Sequence, residues 1–247
     1  MAVLTTVPPC QLASEPADDV TSLDNPLTTK EGWRRFVDNE PSPPALLSDA
    51  ELARLNPARR AGYDEARIDY HSDLPLVNTP VIRQVIGTSR LLIQLNRHQV
   101  SARRGVVISG ASGTGKTTAL SQLGRAHELA ARKRHPHDQH RLPVVYITIP
   151  PAATPRMIAV EFARFLGLPA PARANLTDVT NAVCATAART SVDLVLVDEI
   201  HNISLATRAG AEVSDTLKYF AERLPATFVY AGPVSYTHLT LPTKRIV

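Results

Sequence analysis

Two short stretches carry residue types whose spacing could do chemistry. The first is Gly110-Ala111-Ser112-Gly113-Thr114-Gly115-Lys116-Thr117-Thr118. It fits G-x-x-x-x-G-K-[ST], the Walker A phosphate-binding loop. Gly110, Gly113 and Gly115 can take backbone angles that a Cβ would forbid. That freedom turns successive backbone N–H groups inward as a nest for phosphate oxygens. In such a loop Lys116 reaches the β- and γ-phosphates as a point charge, and the Thr117 hydroxyl can ligate Mg²⁺. Gly110, Gly113, Thr114, Gly115, Lys116, Thr117 and Thr118 are therefore the candidate nucleotide-binding residues.

The second stretch is Val192-Asp193-Leu194-Val195-Leu196-Val197-Asp198-Glu199, an apolar strand ending in two acids. This is the Walker B pattern, in which Asp198 holds Mg²⁺ directly or through water. Adjacent residues of a strand point to opposite faces. Glu199 is thereby expected to turn away from the metal and face a water attacking the γ-phosphate, the position of a general base. The chemistry implied is ATP binding and Mg²⁺-dependent hydrolysis, with Lys116 and Glu199 as catalytic candidates and Thr117 and Asp198 as metal ligands. The 198 − 116 = 82 residues between the two stretches accommodate one further strand and its helices.

The elements needed to position these residues are legible around them. Gly105–Ser109 reads as a short buried strand leading into the loop. Thr117 to Lys133 reads as a helix with Ala119, Leu120, Leu123, Ala126 and Leu129 on one face, its positive dipole end at the phosphates. Leu142–Ile149 is a strand by its β-branched content. Pro150, Pro151 and Pro155 lead into a helix from about Arg156 to Leu166, and Leu176–Thr190 reads as another. A helix from about Ala211 to Arg223 precedes a fourth strand, Ala226–Gly232. Upstream, Ser48-Asp49-Ala50-Glu51 is a capping box, and Asn56-Pro57 and Thr79-Pro80 each offer a helix start with Pro in the first turn. Val81, Ile82, Val85, Ile86, Leu91, Leu92, Ile93 and Leu95 supply an apolar face after the last of these. The fold class expected is α/β, a parallel sheet sandwiched by helices.

The chain has 247 residues, 44% of them hydrophobic, enough for one sizeable α/β domain with extensions. Residues 1–45 are rich in Pro, Asp, Ser and Thr and are expected to form a largely disordered arm. Within it Trp33 and Phe36 stand at helical spacing, either in a docking helix or in a segment lying on the domain. Residues 46–100 are expected to hold helices leading into the core, and residues 101–233 the core itself. Two cysteines, Cys10 and Cys184, cannot form a disulfide framework. No apolar run reaches transmembrane length and the start lacks a signal pattern, so a cytoplasmic setting is expected. Formal charge is 27 − 23 = +4, weak evidence for a nucleic-acid partner. His135, His137 and His140 lie close together after the loop's helix, where solvated cations complementing the helix dipole are favoured over a metal site.

These residues resemble AAA+ ATPases, and more closely the TniB/TnsC-type transposition ATPases. The resemblance covers about residues 29–232. It rests on Gly110–Thr118, on Tyr63–His71 followed by Leu76 and Thr79-Pro80, on Val144–Pro151, and on Asp198-Glu199-Ile200-His201-Asn202 with Leu217, Lys218 and Ala226–Gly232 after it. It implies an ATP-dependent regulator that assembles as a homo-oligomer on duplex DNA and activates a transposase. It also implies a nucleotide-sensing polar residue at the end of the second strand, for which Thr148 is the candidate, and an adenine border near Thr79 to Val81. A nucleotide-held signalling switch and a small-molecule kinase are the rival readings of the same motifs.

The segment Val234–Val247 departs from the family and resembles a translated sequencing adapter. It is therefore set aside from the fold as an artefactual tail, which lowers the charge to 25 − 23 = +2 without Lys244 and Arg245. Cores resembling this one place their first strand between the fourth and a later fifth. With the tail set aside, that fifth strand, the arginine finger and the lid are expected to be missing. Val106, Val107 and Ile108 then fall on an uncovered sheet edge, which would make the chain aggregation-prone.

Overall fold

A computed structural model describes residues 25–40, 42–72, 79–99, 102–171, 173–204, 206–233 and, as backbone, 243–246. Cys10, Leu76 and Val234–Pro242 lie outside the described residues.

Five parallel strands form one sheet in the order β2-β3-β4-β1-β5. They are β1 (Gly105–Ser109), β2 (Val144–Thr148), β3 (Leu194–Asp198), β4 (Thr227–Gly232) and β5 (Thr243–Ile246). Strands β2 to β4 are near-continuous apolar runs buried on both faces, as a parallel sheet covered by helices requires. The helices are α1 (Lys30–Asp38), α2 (Asp49–Arg54), α3 (Pro57–Ser72), α4 (Pro80–Asn96), α5 (Lys116–Arg134), α6 (Pro155–Phe165), α7 (Leu176–Arg189) and α8 (Arg208–Arg223).

The starts of these helices follow from local chemistry. Ser48 and Glu51 complete a reciprocal capping box at α2. Thr79, Thr154 and Thr207 cap α4, α6 and α8 through their hydroxyls. The Thr207 cap sets the α8 start at Arg208, earlier than periodicity alone suggests.

The pleat divides the core into two layers. Register pairs Tyr146 with Leu196 and Leu196 with Val229. These residues share the face on which α5 packs, with α4 and α1 against α5. Phe228 lies on the other face, near Phe162 of α6 (centroids 6.5 Å), and Phe162 stacks on Phe220 of α8 at 4.5 Å. On α5 the buried set is Ala119, Leu120, Ser121, Leu123, Gly124, His127, Glu128 and Ala131, while Ala126 and Leu129 are only half-buried. The buried face is wider than the apolar stripe because α1 covers polar positions of α5.

Helix α1 corrects the expected extent of the disordered arm. Trp33 is fully buried, stacked on Tyr146 at 5.8 Å, and its Nε1 donates to Glu128 Oε2 at 2.8 Å. Arg125 donates to the Val37 and Asn39 carbonyls, and Arg132 bridges Glu128 and Asp38. The apolar Trp33 ring and a satisfied buried carboxylate tie this segment to the domain. By contrast α2 and α3 bury no residue.

The uncovered edge is also overturned. β5 pairs with β1 in parallel, from Gly105↔Thr243 to Ile108↔Ile246. The part of the tail set aside from the fold thus supplies the strand beside β1. The backbone N–H and C=O groups of β1 are paired on both sides, and β1 lies between β4 and β5.

Candidate nucleotide and metal site

The site forms where the loop after β1 meets the carboxyl ends of β3 and β4, the usual ligand crevice of a parallel α/β sheet. A cavity of about 400 Å³ is lined there by Gly113, Gly115, Lys116 and Thr117 from the loop, by Asp198 at the end of β3, and by Glu199 and His201 after it. The two decisive stretches of the sequence therefore meet in space. Gly110, Thr114 and Thr118 do not line this cavity.

Each glycine has its own reason. Gly113 and Gly115 have φ of +76° and +79°, left-handed angles that favour glycine. Gly110 does not share that conformation. A Cβ there would lie 2.9 Å from the Thr114 hydroxyl, so its need is space. The Thr114 hydroxyl donates to the Ala111 carbonyl at 2.8 Å and Lys116 Nζ donates to the same oxygen at 2.6 Å. These bonds hold the loop closed on itself with the ammonium at its mouth.

Asp198 is buried at the end of β3. Its Oδ2 accepts from the Tyr146 hydroxyl at 2.9 Å and its Oδ1 from the Glu199 backbone N–H at 2.8 Å. Tyr146 was not singled out in the sequence as a site residue. Parallel pairing of β2 and β3 brings it to Asp198, and no motif signals that. Burial first, and then the Asp198 charge, push the Tyr146 phenol well above its ordinary pKa. It stays a donor and holds the carboxylate in place. Thr148, the sensing candidate, pairs with Asp198 across the two strands.

Glu199 reaches its position by a different route from the one expected. The strand ends at Asp198, and Glu199 has φ of +56°, a left-handed conformation leading into a 3₁₀ turn, Ile200–Asn202. Strand alternation therefore does not orient it. The turn brings the Glu199 Oε2 to 2.9 Å from His201 Nδ1. Asn202 Nδ2 donates to the Ile149 carbonyl at 2.7 Å and ties the turn to the end of β2. Non-glycine residues with positive φ are uncommon, and such strain concentrates at functional sites.

These residues fit an Mg²⁺-nucleotide. An ammonium, a loop with left-handed glycines, a fixed carboxylate and the hydroxyl residue Thr117 line one cavity. Lys116 would meet phosphate oxygens, and Thr117 and Asp198 would hold the metal. The metal, when bound, supplies charge neutralisation to the phosphates. Thr79 to Val81, the expected adenine border, form the start of α4 and do not line the cavity. His135, His137 and His140 are exposed beyond the carboxyl end of α5.

Fold and site together define a P-loop protein of the AAA+ class of ATPases. The chain belongs to the TniB family: the family model described as "Bacterial TniB protein" matches residues 67–242. Among solved structures, the chain is similar to the Aeropyrum pernix ORC2 protein with ADPNP and ADP. Identity is 21%, with 70% of this chain and 49% of that one covered, at a TM-score of 0.53. It is also similar to the Aeropyrum pernix ORC1 protein in complex with DNA, at 17% identity, 68% and 43% coverage and a TM-score of 0.52. The chain thus spans less than half the length of either structure. A search of curated proteins found no match. No helix among the described residues is long and apolar enough to cross a membrane.

Proposed function

We propose that this protein is an Mg²⁺-dependent ATP hydrolase that regulates DNA transposition, binding duplex DNA as a homo-oligomer in the cytoplasm and activating a transposase. The observation that carries the nucleotide part is the single cavity shared by Lys116, Thr117, Asp198 and Glu199. In this reading Gly110, Gly113, Thr114, Gly115 and Thr118 shape the loop, Thr117 and Asp198 take the metal, and Glu199 polarises the attacking water. Membership of the TniB family supports the transposition part, and a fold similar to a protein solved with DNA supports the duplex.

The test is twofold. ATP turnover is measured with and without Mg²⁺. Duplex binding is measured with and without a non-hydrolysable ATP analogue over a range of salt. Turnover that needs Mg²⁺, and duplex affinity that rises with the analogue and falls linearly in log salt, are expected. No turnover and no nucleotide-dependent duplex binding would sink the proposal.

One observation favours a second reading, a nucleotide-held switch with little turnover. Glu199 Oε2 lies 2.9 Å from His201 Nδ1, and a carboxylate held beside a neighbour is less free to swing to an attacking water. Stable nucleotide-dependent duplex binding with negligible turnover would select that reading.

A further inference from the structure

A second cavity, of about 630 Å³, opens at the opposite end of the sheet. It lies where β3 and β4 begin, about 17 Å from the nucleotide loop for strands of this length. Arg97, Arg134, His135 and Arg141 line it against a single carboxylate, Asp193. That carboxylate is already engaged: Oδ1 meets the buried His127 Nε2 at 2.5 Å, and Oδ2 lies 3.5 Å from Arg141 Nη2. The Arg141 Nε is buried and has no hydrogen-bond partner among the described residues. That nitrogen is closed to solvent, so a ligand in the cavity would meet the partly exposed Arg141 guanidinium through its terminal nitrogens.

Part of this positive charge has a structural purpose. α4 ends at Asn96 and α5 at Arg134, so Arg97, Arg134 and His135 complement the negative ends of two helices. Arg141 stands in neither terminus, since it follows the turn and precedes β2. The charge also runs past the cavity. Lys133, in the last turn of α5, is exposed beside Arg134, and Asp138 is the one acid among residues 132–141. A lone small anion would need only the cavity. Three arginines in the cavity, with Lys133 next to Arg134 in the chain, suit a polyanion with one phosphate seated among them.

We propose that this face is a duplex-DNA contact, with a backbone phosphate held by Arg97, Arg134 and Arg141, remote from the nucleotide loop. The proposal rests on the duplex-binding reading above, and its test separates the two. Arg97 and Arg134 are exposed, so the double variant Arg97→Glu/Arg134→Glu should fold. Arg208→Glu, with the same kind of charge change on a side chain 93% exposed at the start of α8, is the control. Fluorescence anisotropy with a short labelled duplex should show about a tenfold or greater loss of affinity for the double variant and a salt slope reduced by about 2. The Arg208→Glu variant should bind like the unmodified chain. A fluorescent ATP analogue should bind all three alike.

Equal duplex affinity of the double variant and the control would overturn the proposal. If the unmodified chain binds no duplex, the duplex source fails at once. Calorimetry with pyrophosphate on the Lys116→Ala chain then reads the cavity by itself: heat lost on adding the double substitution would leave a small-anion site and overturn the duplex contact. Failure of ATP analogue binding, with duplex affinity still sensitive to the double variant, would strike the nucleotide reading and support this contact.

Discussion

At the scale of single residues, the roles proposed for Lys116 and Asp198 rest on charge and that for Glu199 on reach. Among the described residues Lys116 Nζ is bonded only to a carbonyl of its own loop, so its removal would leave phosphate charge uncompensated. Lys116→Ala should weaken Mg²⁺·ATP binding by at least tenfold, since hydrogen bonds to charged groups contribute about 1.5–3 kcal/mol each. Isothermal calorimetry giving equal affinity for both proteins would count against the loop reading. Glu199→Gln should keep nucleotide affinity and slow turnover, because an amide cannot take the proton of an attacking water. Asp198→Asn should instead weaken Mg²⁺ binding, and a metal titration of both variants separates the two carboxylates. Tyr146 is the residue that only the structure brings into this set. Tyr146→Phe removes a buried donor to Asp198 and should cost about 1–3 kcal/mol, read by chemical denaturation. The same variant should alter the Mg²⁺ titration midpoint, a change that a merely structural tyrosine would not cause.

At the scale of elements, α1 behaves as part of the domain. Its clamp is one aromatic ring and one buried carboxylate: Trp33 on Tyr146, and Glu128 shared between Trp33 and Arg132. Truncating such a ring typically costs about 3–5 kcal/mol, and Trp33→Ala also strips one donor from Glu128. The expected outcome is a large loss of stability in denaturation and separation of residues 25–40 from the core, seen as early proteolysis there. Trp33 is the one tryptophan of the chain, so its fluorescence in the unmodified protein reports this docking directly. A Cβ at Gly124 would meet the Trp33 ring at 2.5 Å and Leu196 at 2.6 Å. Gly124→Ala should therefore overpack the same contact and cost about 1–3 kcal/mol. An unchanged midpoint for both variants would mean that α1 does not hold the core.

At the scale of the whole molecule, the sheet depends on its last strand. β5 covers the edge of β1, the strand that delivers the phosphate loop. Removing residues 243–247 would leave the β1 backbone unpaired on one side, and an apolar edge is a template for pairing between chains. The shortened chain should aggregate, and size-exclusion profiles of the two chains compare this directly. A monodisperse shortened chain would show that β1 is protected by other means. The aggregation expected for the chain as it stands followed from an uncovered β1, and with β5 in place that reason is gone.

What the sequence determined by itself is local chemistry. Gly113, Gly115, Lys116 and Thr117 are legible because a phosphate nest imposes both residue type and spacing on contiguous positions. The capping residues Ser48, Thr79 and the apolar runs of β1 to β4 are legible for the same reason, since neighbours in the chain satisfy one another. What only the tertiary structure decided involves residues far apart in the chain. Strand pairing put Tyr146 on Asp198, and packing put Trp33 against Glu128. The end of β3 took a left-handed step at Glu199 that alternation along a strand could not foresee. The placement of β5 beside β1 was lost because a resemblance to a sequencing adapter set the tail aside, whereas a strand's place is settled by the unpaired backbone groups it can satisfy.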